Sequence, residues 1–260
     1  MLGFFRRRKP EGGPPAEEAY SHSVQQLAPR LRPFIGTPRI FPPGIADGAP
    51  EIFPGLVATV AVDQGSRIDF VPQDSMGALF SDGVDIDDSV ARQRLMTLAV
   101  DNFRHLSPPK LTRVPVLDGR TDSDVFIAQT DHLFGAAQIL NLNDLIAATK
   151  NVSSWPHGLL VAVPTWRMVM FHVVSGTAVL KVLPHMCNAA LGLMNEAREQ
   201  FRILPHVYFV APDGRVQQVT MLREGEIMVA LAGPISEVLF GQNGLLPESL
   251  RVELENIRIN

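Results

Sequence analysis

His206-Val207-Tyr208-Phe209-Val210-Ala211-Pro212-Asp213-Gly214-Arg215-Val216-Gln217-Gln218-Val219-Thr220-Met221 is the stretch whose reading decides the fold class. Two runs rich in β-branched and aromatic residues flank Pro-Asp-Gly-Arg. Proline presets φ for a turn and glycine supplies the left-handed conformation that closes it. The stretch therefore predicts a β-hairpin with strands over 206–211 and 216–221. A hairpin requires antiparallel pairing, and two more are expected upstream. Leu111–Leu117 and Val125–Thr130 are joined by Asp118-Gly119 and a polar stretch to Asp124. Leu56–Val62 and Arg67–Val71 are joined by the turn chemistry of Asp63-Gln64-Gly65-Ser66.

Helical patterns lie between these strands. Val90, Leu95, Leu98, Ala99, Phe103 and Leu106 recur at helical spacing, with Asn102 on the same face. Asp85, Asp87 and Asp88 precede them, where acids satisfy free N–H groups, and Pro108-Pro109 ends the run. Further helices are expected over His132–Lys150 and over Thr177–Phe201, the latter carrying Pro184 as a kink. Gly158–Val163 reads as a strand stopping at Pro164, and Trp166–Val174 as another strand or a short helix. Ile227–Leu231 adds a strand, Pro234–Phe240 a short helix, and Ser249–Ile259 an edge strand. Strands and helices mix without strict βαβ alternation. The expected fold class is α+β, with a mixed or mainly antiparallel sheet and packed helices.

The N-terminal part has another character. Residues 1–20 are rich in Gly, Pro, Glu and Arg and are expected to be a disordered head. Residues 21–54 are expected to hold a short helix over Ser21–Leu31 and then a Pro-rich arm, because repeated prolines remove donors and fix φ. Residues 55–260 are expected to form a single α+β domain. Phe34, Phe41 and Phe53 interrupt the arm. They are candidate apolar anchors that lie against the body or enter a partner's groove.

Composition excludes several classes. Net charge is −4 over 260 residues, and Arg6, Arg7, Arg8 and Lys9 are confined to the head. The rest is mildly acidic, a poor match for nucleic-acid phosphates, so no nucleic-acid partner is expected. One cysteine, Cys187, cannot form an internal disulfide, which suits a reducing, cytoplasmic setting. No run of 18 apolar residues is present, so no transmembrane segment is expected. Residues 1–9 lack the charge order of a signal peptide, but Leu2, Phe4 and Phe5 beside four cations suit weak contact with an anionic membrane.

Searches for catalytic motifs return nothing. There is no phosphate loop, dinucleotide turn, zincin helix or nucleophile elbow. Starting at Asp85, a calcium loop needs Gly at its sixth position and Glu at its twelfth; Val90 and Met96 stand there. The seven histidines stand apart at spacings that form no local metal pair. No catalytic set, metal site or cofactor is expected. The most unusual stretch runs from Trp155 to His172. Trp166, Arg167 and His172 are its candidate ligand-binding residues, an aromatic platform with a cationic anchor for a small anionic ligand.

One likeness rests on short motifs. A strand ends at Asp63, a helix ends Leu98-Ala99-Val100-Asp101-Asn102-Phe103, and Gly158-Leu159-Leu160-Val161-Ala162-Val163-Pro164 follows a hairpin and helix. This order resembles the YtpQ-like family of uncharacterised bacterial proteins over about residues 55–220. The resemblance implies a bacterial cytoplasmic protein and no mechanism. Members of that family carry Arg-Asp after the proline, whereas Thr165-Trp166-Arg167-Met168 here brings no acid. The expected function is a non-enzymatic protein-binding or adaptor module, with a protein partner or a second copy of the chain. The alternatives are a small-ligand pocket near Trp166 and Arg167, and weak membrane association through residues 1–9.

Overall fold

The computed structural model describes residues 24–65, 67–72, 76–77, 87–149, 154–223, 226–241 and 244–245. The head expected over 1–20, the membrane contact at 1–9, Asp82 to Ile86 and the strand expected over Ser249–Ile259 lie outside these. The chain divides into two compact units, Met1–Pro108 and Pro109–Asn260. This corrects the expected layout of an arm over 21–54 on a single domain over 55–260. The boundary falls at the proline pair that ends the amphipathic helix, and the arm is part of the first unit's sheet.

In the first unit a short helix α1 (Val24–Leu27) leads into strand β1 (Leu31–Gly36). Strands β2 (Glu51–Phe53), β3 (Leu56–Asp63) and β4 (Ile68–Phe70) and helix α2 (Asp88–Arg104) complete the unit. The sheet order is β1-β3-β2, with β4 also pairing β3, and every pair is antiparallel. Leu31 stands opposite Val62 and Gly36 opposite Val57. Pro33 is tolerated because β1 is an edge strand, where a missing N–H costs no ladder bond. One face of the sheet packs Leu31, Val60 and Val62 against Ala91, Leu95 and Ala99 of α2. Asp87 caps that helix, its carboxylate accepting from the Ser89 N–H at 2.8 Å. Asn102 on the same helix donates to the carbonyls of Ala28 and Leu31, which fixes where β1 begins.

The expected anchors of the arm are core residues. Phe34, Phe41 and Phe53 are buried, at 1%, 8% and 6% exposure. Phe34 meets Phe41 and Phe70 edge to face, with ring centroids 5.8 and 5.2 Å apart. The partner-binding role expected for these three rings is therefore corrected. Proline density does make the chain extended, but an extended apolar run beside β3 gains more by pairing than by staying an arm.

In the second unit, strands β5 (Lys110–Pro115) and β6 (Asp124–Gln129) form one expected hairpin. Helix α3 (Leu142–Ala148), strands β7 (Leu159–Thr165) and β8 (Met168–Val173) and helix α4 (Val179–Glu196) follow. Strands β9 (Val207–Val210) and β10 (Val216–Gln218) are the hairpin read first from the sequence, with Val210 opposite Val216. Strands β11 (Thr220–Arg223) and β12 (Glu226–Val229) pair with each other, and helix α5 (Pro234–Phe240) comes after them. The six-stranded sheet runs β10-β9-β7-β8-β6-β5 and is antiparallel throughout. The fold is α+β, as expected. Helix α4 lays Val182, Met186, Cys187 and Ala190 on Leu160, Met170 and Phe209.

Two local differences have clear causes. β7 continues through Pro164 to Thr165 because the register shifts between Ala162 and Thr165, and a bulge accommodates a proline. The helix expected over His132–Lys150 is a 3₁₀ stretch over Gly135–Asn141 followed by the short α3. The Ala136 N–H is used elsewhere, donating to the Trp166 carbonyl at 2.8 Å.

Candidate functional site

Three elements of the second unit line an open cleft of about 440 Å³. Helix α3 contributes Asn143, Ile146 and Ala147, which share one face because residues three and four apart stack on a helix. The approach to β7 contributes Ser154, Trp155 and Pro156, and the β9–β10 turn contributes Pro212.

The backbone sets Trp155 at this place. The Gly158 N–H donates to the Trp155 carbonyl at 3.0 Å, closing a turn just before β7. Gly158 has φ +91°, and a Cβ there would come within 2.6 Å of the Val210 carbonyl oxygen and 2.7 Å of the Phe209 ring. Only glycine fits both the angle and the space. The indole is then oriented by a hydrogen bond from Trp155 Nε1 to Asn143 Oδ1 at 2.9 Å.

The lining is uncharged. Two acids adjoin lining residues in sequence, the exposed Asp144 next to Asn143 and Asp213 next to Pro212; Asp213 is neutralised by Arg215, whose Nε donates to it at 2.7 Å. The same guanidinium reaches Glu237 at 2.7 Å. Hydrogen bonds from Arg215 hold the carboxyl pKa of Asp213 and Glu237 below the usual range. The indole N–H is taken by Asn143 Oδ1, which leaves a ligand the Asn143 amide N–H pair, the second lone pair of Oδ1 and the Ser154 hydroxyl, which both donates and accepts.

The residues singled out from the sequence do not form one pocket. Trp166 and Arg167 make the turn between β7 and β8 and meet on Phe201. Trp166 packs its edge there at 5.6 Å, and the exposed Arg167 guanidinium sits 5.4 Å over the ring. The aromatic platform exists, but the chain's own cation occupies it. His172 does not join them. It is 1% exposed within β8, and its Nδ1 is 2.9 Å from the Asp124 carbonyl oxygen. That contact makes Nδ1 the protonated nitrogen of a neutral ring. Burial pulls its pKa below the ordinary histidine value, against the opposing pull of that hydrogen bond and of Asp122 and Asp124. The expected three-residue anion pocket is thus corrected, because successive positions of a turn and strand aim side chains at different partners.

Other candidates are spoken for. Cys187 is buried, and burial pushes its thiol pKa up to about 12, so it is no nucleophile. In the acidic loop, Asp122 pairs with Arg120 at 2.5 Å and Asp124 with Arg113 at 2.6 Å. Among the described residues, no group of three or more His, Cys, Asp or Glu is placed to hold a metal. Met221 and Met228 stand opposite each other on β11 and β12, exposed by 47% and 42%. Two side chains give far less than the ~800 Å² per partner that a stable interface buries.

Sequence reasoning singled out the segment Trp155 to His172 and named Trp166 as its ligand contact, whereas the tryptophan that lines the cleft is Trp155. The missed signal was the helical spacing of Asn143, Ile146 and Ala147 ahead of Ser154-Trp155-Pro156. Compared with family models, with curated proteins and with solved structures, the chain finds no match.

Proposed function

We propose that this chain is a non-enzymatic protein-binding module and that the Trp155 cleft receives a short segment of its partner. The observation that carries this is the cleft itself: uncharged, open, and walled by an indole whose orientation is fixed by Asn143. Such a wall suits an apolar side chain and offers nothing to activate water or a nucleophile. The anionic-ligand alternative has less support, since the lining carries no cation and Arg167 is engaged by Phe201. Among the described residues no helix is long and apolar enough to cross a membrane. A bacterial, cytoplasmic setting and kinship with the YtpQ-like proteins belong to the same proposal, on the motifs quoted above.

The test is native mass spectrometry of the protein purified gently from its own host. Wild type is compared with Trp155→Ala and with Ala147→Arg, which fills the cleft from an exposed position without deleting a contact. A stoichiometric protein partner on wild type, lost from both variants, is the expected result. A partner retained by both variants, or a small non-covalent mass that leaves in their place, refutes the proposal.

A further inference from the structure

We infer that the outer edge of β5 is a docking surface of its own, separate from the Trp155 cleft, and that it takes a short acidic segment of a partner protein as an added antiparallel strand. β5 ends the six-stranded sheet and pairs with β6 alone. The register shows which backbone groups are left over. Alternate residues of an antiparallel strand turn both N–H and C=O to the same neighbour. The Thr130 N–H donates to the Arg167 carbonyl at 2.9 Å, on the β8 side, so Phe126 and Ala128 also face β8. Val125, Ile127 and Gln129 then face β5, where they stand opposite Val114, Thr112 and Lys110. Leu111 and Arg113 therefore turn their N–H and C=O outward, and nothing among the described residues bonds to those backbone groups. Pro109 and Pro115 share the outward parity, and neither has an N–H to give. An unbroken open edge invites edge-to-edge aggregation. Here the two prolines cut the edge to a short slot, in which Leu111 and Arg113 each exchange a pair of bonds, about four main-chain hydrogen bonds in all.

The side chains set the chemistry of the occupant. Lys110, Thr112, Arg113 and Pro115 are exposed, and Leu111 and Val114 are half-buried, so both faces of the edge are accessible. Lys110, Thr112 and Val114 share the face on which Val114 packs against the α4 core, and Leu111 and Arg113 share the other. Lys110 pairs with no acid among the described residues. Arg113 spends only its Nε, on Asp124 at 2.6 Å, which leaves its two outer nitrogens free. A strand laid on this edge thus meets one cation on each face, and opposite charges stabilise a cross-strand pair. Acids opposite Arg113 and Lys110, three residues apart in the partner, satisfy both, with β-branched residues opposite Thr112 and Leu111. A second copy of the chain fits less well, because its β5 brings the same two cations and no acid.

The full chain, labelled with nitrogen-15, is titrated with acetyl-Thr-Glu-Val-Thr-Glu-Thr-amide, in which the glutamates fall opposite Arg113 and Lys110. The peptide is expected to shift the Leu111 and Arg113 amide signals saturably and to slow their hydrogen exchange. N-methylation of its first Glu and second Thr, the residues that bond to β5, is expected to abolish the shift. N-methylation of its Val, whose N–H faces away, is expected to leave the shift in place. The same peptide with Lys for Glu should bind at least about fivefold more weakly, and Lys110→Glu should narrow that difference. Leu111→Pro deletes an outward N–H and no ladder bond, so the sheet is kept. It should weaken the peptide at least about fivefold, with the Trp155 and Trp166 indole signals certifying the fold. Equal binding of the peptide methylated at the bonded positions overturns the added strand. Equal binding of the Glu and Lys peptides overturns the acidic partner. A dimer of the chain that Leu111→Pro dissolves makes a second copy the occupant and also overturns it. No saturable shift at millimolar peptide overturns the inference outright, while a host partner still lost from Trp155→Ala keeps the cleft reading standing.

Discussion

Replacing Phe34 with alanine is expected to destabilise the first unit by about 3–5 kcal/mol, the range for emptying a buried phenylalanine site. The structure places the change at the upper part of that range. Phe34 is 1% exposed, so nearly the whole ring leaves a packed environment. Its edge contacts with Phe41 and Phe70 add about 0.5–1.5 kcal/mol each beyond area burial. The backbone around it is pinned, with Phe34 opposite Thr59 in the β1–β3 ladder, so the cavity cannot close cheaply. A domain's whole stability is about 5–15 kcal/mol, so the loss is readily measured. Both tryptophans lie in the second unit, which makes fluorescence blind to this change. Hydrogen exchange with mass spectrometry reads it directly, in peptides covering 31–36 and 56–63. Exchange there should accelerate by about three to three and a half orders of magnitude. Exchange within threefold of wild type, together with loss of a bound partner, would show that Phe34 is a surface anchor after all and that the packing argument is wrong.

Stability of the second unit should fall on mild acidification. His172 has a folded pKa below its unfolded value of about 6.5, so its contribution is complete above that pH and is lost as pH falls toward the folded value. The slope from this group is at most about 1.4 kcal/mol per pH unit. Urea titrations followed by tryptophan fluorescence between pH 7.5 and about 5.5 should show it, and His172→Gln should flatten it to the part left by His206, which burial shifts the same way. An unchanged slope in that variant would remove His172 from the account. Gly158→Ala should cost the second unit about 1–3 kcal/mol for a strained left-handed residue, with further loss from the contact at Val210. A stable Gly158→Ala protein with an unaltered Trp155 indole signal would contradict the turn assigned here.

Elements whose information is local were legible in the sequence. The Pro212-Asp213-Gly214-Arg215 turn set the β9–β10 pairing, and Gly214 adopts the positive φ of 87° that the turn chemistry asked for. The apolar spacing and acids of 88–104 gave α2 and its Asp87 cap. Pro184 sits inside α4 where it was expected. The arm was misread because proline content speaks for extension and says nothing about pairing; β3 made the extended run a strand. Helix periodicity over 132–150 was overridden by backbone bonds to the β7–β8 turn, a partner some 30 residues away.

The candidate site divides in the same way. The sequence by itself determined that the chain pairs its strands through tight turns, that α2 has one apolar face, and that a tryptophan-bearing segment precedes β7. Those facts follow from dihedral preferences and side-chain period within a few residues. Only the tertiary structure decided that Asn143, Trp155 and Pro212 meet, that Arg167 turns back onto Phe201, and that the phenylalanines of the arm point inward. Which distant side chains share a wall depends on how sheets and helices exclude water together, and no short window of sequence carries that sum.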